Sequence, residues 1–346
     1  MLNDIANTKV MIAGVGGASL GTEIKKCLNL ADGYEIYGCD ISKTAYGLYD
    51  KGFEKVFQIN AGNYVKNVID VCLKVGIEFL VPGGEQPMVL LSNEASLIEK
   101  AGIKLLANSQ KVIRTFSNKD TAFKLLNKKG IKIPRTKIVN TSDDVEVVGL
   151  PCIIKPATES GGSTSVFFAI NMEEALIYSD FIRKTGGTPL AQQYISEDEG
   201  EFTIGVLSFP DRKVYGSIAL RRSLDAKLSV MYKARGGIIS SGYSQGYIAE
   251  FPDLCKQAEE IAQAIGSQGP INIQGRVLDG DLIPFEINPR FSASSYLRAL
   301  AGFNEVDIFI RNQRGETSIP RKKILEGWYL RSLTEQYVSN LSTSND

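Results

Sequence analysis

The stretch PFEINPRFS, residues 284–292, ends an apolar run that begins at Leu282. Strand side chains alternate between faces, so Glu286 and Asn288 are expected on one face and Phe285 and Ile287 on the other. The polar face then presents a carboxylate, an amide and, where the strand ends, the Arg290 guanidinium. Two readings fit: a functional site, or the wet side of an ordinary antiparallel strand. Upstream, NIQGRV (272–277) leads into PFEINP through Asp279-Gly280, a tight-hairpin dipeptide. Hairpin pairing brings Gln274 opposite Glu286. With Asn288 they form an all-oxygen donor set suited to a hard cation such as Mg²⁺.

Further upstream, CIIKPATESGGSTSV (152–166) sets Lys155 in an otherwise apolar strand, just before a turn containing Ser160, Gly161, Gly162 and Ser163. A lysine there costs free energy unless it is paired with an anion. Phosphate suits an ammonium, backbone N–H groups and hydroxyls together. No Gly-Lys-Ser/Thr follows the glycines, so this is not a Walker A loop. The alternative is a lysine at a sheet edge. In AQQYISEDEGEFTIGV (191–206), Glu201 opens a strand after an acidic turn and is the candidate for a polar contact.

Residues 8–106 alternate strand and helix, which means a parallel sheet covered on both faces. A helix is expected around 43–51 and another over 87–102. GVGGASLG (14–21), with Gly16 and Gly17, follows the first strand and approaches the G-x-G-x-x-G fingerprint, with its third glycine late. Asp40 ends the second strand, where a ribose-binding acid would sit. The alternative is a tight turn that needs glycine. VPGGEQP (81–87), with Glu85, leaves the fourth strand on the same rim. Beyond Ser109, FSNKDTAFKLLNKKG (116–130) reads as a helix capped by Ser117 and Asp120. SVMYKARGGII (229–239) reads as one strand.

The 346 residues include 43% hydrophobic and 23% charged side chains with zero formal net charge. That charge balance gives no reason to expect nucleic acid or an anionic membrane as partner. No apolar run reaches membrane-span length, and no signal peptide is expected. Five scattered cysteines without a CxxC pair fit a reducing, cytoplasmic setting. There is no histidine. Its absence removes Ser-His-Asp and Cys-His catalysis, His-ligated zinc and imidazole acid–base chemistry.

Taken in order, Lys119, Lys155 before its Gly/Ser turn, the strand at Gln192, Glu201, Gln274 and FEINPRFSASS resemble the ATP-grasp superfamily. The resemblance is closest to the ATP-binding halves of the carbamoyl-phosphate synthetase large chain and their stand-alone relatives, over about Lys9 to Arg311. It implies an α/β and α+β chain: an N-terminal Rossmann-like parallel-sheet domain (1–108) followed by a two-lobed ATP-grasp domain. The small lobe would span 109–190, with linker helices over 109–135. The large lobe would span 191–335, and 336–346 would be a tail. Lys119 and Lys155 would contact the phosphates of ATP, and Ser160, Gly161, Gly162 and Ser163 would cover them. Gln192, Gln193, Tyr194 and Ile195 would read adenine, with Glu201 on the ribose. Gln274, Glu286 and Asn288 would hold two Mg²⁺ ions, replaceable by Mn²⁺. Arg290, with Lys155, would act on the transferred phosphoryl group.

The implied activity is an ADP-forming ligase that activates a small carboxylate as an acyl-phosphate for attack by an amine or another nucleophile. Gly16, Gly17 and Glu85 are candidates to hold the acceptor. Arg221, Arg222 and Arg235 are candidates to grip an anionic substrate. The chain departs from the pattern in three ways. Gln274 stands where many ATP-grasp ligases have an acid, and the hinge begins Gln-Gln where many relatives carry Glu. One ATP-grasp unit without a glutaminase also argues against complete carbamoyl phosphate synthesis. A nicotinamide oxidoreductase and a catalytically silent nucleotide-binding module are the alternatives. A homodimer is left open.

Overall fold

Strand β1 (Thr8–Ala13) is buried almost throughout, as a central parallel strand covered on both faces must be. A computed structural model describes residues 7–17, 20–157, 165–234 and 236–341. In it β1, β2 (Tyr34–Asp40), β3 (Lys55–Gln58), β4 (Phe79–Pro82) and β5 (Lys104–Leu105) form a parallel sheet in the order β3-β2-β1-β4-β5. Val10 and Ile12 pack with Ile24 and Leu28 on one face, while Met11 packs with Val68, Leu91 and Ile98 on the other. That split is the period-2 alternation of a strand read onto two helix layers.

The glycines on the rim of this sheet meet one another. Gly21 N donates to Gly83 O at 3.0 Å and Gly83 N to Ala13 O at 2.7 Å. A Cβ on Gly21 would lie 2.0 Å from Gly14 O, and one on Gly83 only 1.9 Å from it. Asp40 accepts from Val15 N at 2.8 Å and from Ser42 N at 2.9 Å. The features that suggest a dinucleotide fingerprint therefore have a packing role here. The helix expected around 43–51 is a single 3-10 turn, Tyr46–Tyr49. The one expected over 87–102 is two helices, Glu85–Asn93 and Ala95–Lys100, broken where Glu94 leaves helical backbone geometry (φ −114°, ψ 26°).

Two linker helices, Gln110–Phe116 and Lys119–Lys128, precede the small lobe. Asn118, not Ser117, caps the second: its side chain accepts from Thr121 N at 3.0 Å. Ser117 instead closes the first, donating to Ile113 O at 2.9 Å. Both residue types cap well, so local sequence did not separate them. β6 (Thr136–Ile138), β7 (Cys152–Pro156), β8 (Phe167–Ala169) and β9 (Pro189–Gln193) form an antiparallel sheet ordered β6-β9-β7-β8. The boundary expected at 190 falls inside β9, whose two partners are small-lobe strands.

The large lobe opens with β10 (Glu201–Ser208) and β11 (Val214–Arg222). An arm of β12 (Val230–Ala234) and β13 (Gly237–Ser240) then leaves the sheet, replacing the single strand expected over 229–239. It reaches the small lobe, where a Cβ on Gly237 would meet the Phe168 ring at 2.3 Å. β14 (Gly246–Ile248), β15 (Pro270–Leu278), β16 (Asp281–Asn288) and β17 (Gly327–Tyr329) complete an antiparallel sheet ordered β16-β15-β10-β11-β14-β17. Phe291, Leu297 and Phe309 share a core with Val10 and Ile12, so the first domain and the large lobe are packed as one body. Helix Pro252–Ile265 covers the sheet with Ala258, Ile261 and Ala262, as its 3.6-residue spacing predicts.

Gly83→Ala forces a methyl into the Gly14 carbonyl, and overpacking of this kind costs about 1–3 kcal/mol. The expected result is a lower urea midpoint for the variant. A midpoint equal to wild type would show that the rim glycines are not there for close packing.

Candidate active site

β15 and β16 pair with Gln274 opposite Glu286 and Asn272 opposite Asn288. The register then slips: Gly275 faces Pro284, so Phe285 is the extra residue of a bulge. Proline carries no N–H for the ladder, and bulges are where sheets tolerate it. The slip overturns strict alternation at this point. Pro284 and Glu286, two residues apart, pair with the neighbouring residues Gly275 and Gln274, and Phe285 between them forms part of the cleft wall between the lobes.

Lys155 comes from the other lobe. It is 5% exposed on β7, an interior strand flanked by β8 and β9, so it is not a sheet-edge residue. Its Nζ donates to Gln192 Oε1 at 2.8 Å and to the Phe285 carbonyl at 3.3 Å, and lies 5.6 Å from the centre of the Phe123 ring. Lys119 opens its helix, and its backbone N–H binds Ala157 O at 2.9 Å, tying that helix start to the end of β7. Gln193 Oε1 accepts from Arg135 N at 3.2 Å. Pro134, Ile153, Ile195 and Ile239 supply apolar wall beside these residues.

Glu201 is 1% exposed at the start of β10. Its Oε2 accepts from Arg276 Nε at 2.9 Å. Its Oε1 lies 3.2 Å from Arg222 Nη1 but has no hydrogen-bond donor among the described residues. Burial works against the Arg276 charge, yet Glu201 and Tyr194 outweigh it and hold the guanidinium above its ordinary pKa. For Arg222, burial wins over the pull of Glu201 and the pKa falls. Arg290 Nη1 donates to Phe291 O at 3.0 Å, whereas its buried Nε has no acceptor among the described residues.

Comparison with known proteins bears on this geometry. Residues 218–335 match the family described as "ATP-grasp in the biosynthetic pathway with Ter operon". The arginine-specific large chain of carbamoyl phosphate synthase from Bacillus subtilis (strain 168) is 26% identical over 238 residues, 66% of this chain and 22% of that protein. The corresponding large chain of Hyperthermus butylicus is 24% identical over 325 residues, 86% of this chain and 28% of that protein. Among solved structures, the biotin carboxylase domain of Hydrogenobacter thermophilus 2-oxoglutarate carboxylase superposes with a TM-score of 0.66 at 19% identity, covering 91% of this chain and 71% of that one. N5-carboxyaminoimidazole synthetase of Staphylococcus aureus gives 0.62 at 15% identity, covering 92% and 80%. The chain carries the ATP-grasp fold. It spans about a quarter of the length of the synthases it matches, 22% and 28%.

The cleft between the two lobes brings together Lys119, Lys155, Glu201, Gln274, Glu286 and Arg290. Gln192, Gln193, Tyr194 and Ile195 line it from the small-lobe side, and Glu85 from the first domain. Asn288 lines a small adjoining cavity and donates from Nδ2 to Glu286 Oε1 at 3.2 Å. Gly16 and Gly17 do not line the cleft. The two arginines of β11 do not line it either. Arg221 is exposed and lies against Gly200, while the Arg222 guanidinium is buried on Glu201 and backbone carbonyls. Ser160, Gly161, Gly162, Ser163 and Arg235 lie outside the described residues.

Several site residues were missed from sequence. Arg276 follows Gln274 by two positions in β15, so alternation alone put it on the same face. Thr203 and Asn272 form the floor, with Thr203 Oγ1 donating to Asn272 Oδ1 at 2.8 Å. Beneath them Arg298 is 0% exposed, ion-paired with Glu305 at 3.3 Å and donating to Thr203 Oγ1 at 3.1 Å and to Asn272 Oδ1. A Cβ on Gly205 would lie 2.4 Å from Arg298 Nη1, so that glycine makes room for the guanidinium.

Arg298→Met leaves Glu305 buried without its partner, a change that costs about 3–5 kcal/mol. The double variant Arg298→Met/Glu305→Leu removes both charges and is expected to recover most of that loss in urea denaturation. A single variant as stable as wild type would contradict the pairing.

Proposed function

We propose that the chain is an ADP-forming ligase that phosphorylates a small carboxylate with ATP and passes the acyl group to an amine or another nucleophile. The observation that carries this reading is convergence. Lys119, Lys155, Glu286 and half-buried Arg290, whose buried Nε has no acceptor among the described residues, line one cleft between two lobes. A buried donor without an acceptor calls for one, and an anion is the natural fit to two ammonium groups and a guanidinium.

In this reading Lys119 and Lys155 bind the distal phosphates of ATP, and the hinge Gln192–Ile195 takes the adenine. Glu201 Oε1, with no hydrogen-bond donor among the described residues, is the acceptor for a ribose hydroxyl. A carboxylate oxygen of the substrate attacks the γ-phosphorus, the bond to ADP breaks, and Arg290 offers its N–H groups to the transferred group. The amine then attacks the acyl carbon, phosphate leaves, and the amine loses a proton. Positioning and charge neutralisation supply the rate, and no histidine is required. Gln274, Glu286 and Asn288 would hold Mg²⁺, two ions in our reading, with Mn²⁺ able to replace them. Among the described residues no group of three or more Cys, Asp or Glu side chains forms a metal cage. One carboxylate with amide oxygens suits Mg²⁺, which is usually held by one or two carboxylates together with substrate phosphates. When bound, the ion neutralises charge on those phosphates.

The relatives' names support the reading: a carbamoyl phosphate synthase, a biotin carboxylase seen with MgADP and bicarbonate, and a carboxyaminoimidazole synthetase. Complete carbamoyl phosphate synthesis is not part of the proposal. The dehydrogenase alternative is weakened because Asp40 is engaged by Val15 N and Ser42 N. Five free thiols fit a reducing, cytoplasmic setting. Among the described residues no helix is long and apolar enough to cross a membrane.

The test is product analysis with MgATP, hydroxylamine and a panel of small carboxylates covering amino acids, hydroxy acids and bicarbonate. A hydroxamate with one ADP and one phosphate is expected for the organic substrate, or ADP release stimulated by bicarbonate. AMP and pyrophosphate would contradict the mechanism, and no nucleotide turnover with any carboxylate would favour the silent module. Glu286→Ala is expected to abolish the Mg²⁺-dependent turnover with the fold intact by circular dichroism.

Lys155→Met keeps the side chain's length and removes its charge. ADP affinity measured by calorimetry is expected to fall by about 1.5–3 kcal/mol, the worth of one hydrogen bond to a charged group. Unchanged affinity would remove Lys155 from the phosphate site.

A further inference from the structure

Glu201 joins two arginines, each of which also holds backbone carbonyls. Arg276, on its Oε2, donates from Nη1 to the hinge carbonyl of Ile195 at 2.6 Å and from Nη2 to the Ile238 carbonyl of β13 at 2.7 Å. Its guanidinium lies 4.7 Å from the centre of the Tyr194 ring. The Tyr194 hydroxyl accepts from Ile238 N at 2.8 Å, a second tie between hinge and arm. Arg222, facing Oε1, donates from Nη2 to the carbonyls of Ser241 at 2.8 Å, Tyr243 at 3.0 Å and Ser229 at 3.3 Å. These carbonyls belong to the base of the arm and to the loop after it. That loop brings Gly242 and Ser244 to the cleft, and Ser292 and Ala293 from the far side of Arg290 line it as well.

All three side chains are nearly sealed from solvent, at 1% for Glu201 and Arg222 and 6% for Arg276. Burying three charges costs more than their mutual attraction returns unless further hydrogen bonds satisfy them. Here those bonds go to backbone carbonyls of two separate segments. Each guanidinium is a rigid planar fork, so it fixes the direction of every carbonyl it holds.

We propose that Glu201, Arg222 and Arg276 act as one positioning unit that couples the nucleotide hinge to the loop 241–244, so that filling the nucleotide side orders that loop. The inference rests on the reading of this cleft as an ATP site. A sugar hydroxyl on Glu201 Oε1 would add a donor to the carboxylate that Arg222 faces, and the hinge would bear on Arg276 through the Ile195 carbonyl. Arg222 is a positioning residue in this scheme and does not line the cleft itself.

Hydrogen exchange of the full chain, with and without MgADP, tests it. In the wild type, MgADP is expected to slow exchange at 241–244 by about tenfold or more, as a local opening made rarer by binding. In Arg222→Met, calorimetry is expected to show MgADP bound within about threefold of wild type, because Arg276 still holds Glu201 Oε2 and the hinge, while protection at 241–244 falls below about twofold, because the loop carbonyls lose their donor. Arg222→Lys keeps a countercharge for Glu201 and serves if the Met variant does not fold. One nitrogen cannot hold Glu201 and three carbonyls, so it too is expected to lose the protection. Full protection in a variant that binds MgADP would overturn the coupling and leave the ATP site standing. Failure of the wild type to bind MgADP would overturn the ATP site and the coupling with it.

Discussion

The bulge at Phe285 is the constraint on which the cleft depends. One residue more in β16 than in β15 lets Glu286 face Gln274 while the Phe285 carbonyl turns toward Lys155. That hydrogen bond, at 3.3 Å, runs from the small-lobe sheet to the large-lobe sheet. Without the slip, Gln274 would face Phe285 and not Glu286. Lys155 would then keep Gln192 and lose its contact across the lobes. The cleft is thus set by the register of a single hairpin, closed by an Asp279-Gly280 turn with both residues at positive φ.

Around that hairpin the large lobe buries charge with unusual density. Arg298 and Glu305 lie under the floor; Glu201, Arg222 and Arg276 lie along the hinge side. Apolar replacements of buried ion pairs are often neutral or stabilising, so stability alone is a poor reason for five such groups. Each set ends on residues that line the cleft or adjoin it: Asn272 and Thr203 for the first, the hinge and the loop 241–244 for the second. In a chain without histidine, rotationally fixed guanidinium and carboxylate groups carry the burden of orienting the site.

Local chemistry made part of this legible in the sequence. The Asp-Gly turn marked the two strands as a hairpin, and apolar flanks marked Lys155 as out of place; the turn alone would set Gln274 opposite Phe285, and the extra residue puts Glu286 there. Strand–helix alternation over residues 8–106 gave the parallel sheet. What escaped depended on long-range packing. A one-residue bulge leaves the apolar pattern of β16 nearly unchanged, so alternation did not show the register shift at Phe285. Adjacent Arg221 and Arg222 point to opposite faces, and nothing local says which is inward; both were read as candidate substrate contacts, and neither lines the cleft. Arg298 and Glu305 each look like the solvent face of a short helix until the helices are packed against β10. The arm over 229–239 turns back at a glycine pair that is equally compatible with a bent strand.

A crystal structure of the chain with MgADP tests the central claim most directly. The account predicts adenine beside Gln192–Ile195, the phosphates between Lys119 and Lys155, and the metal on Glu286. Nucleotide bound at the Gly14–Gly21 rim instead, or density absent from the cleft at saturating MgADP, would contradict it.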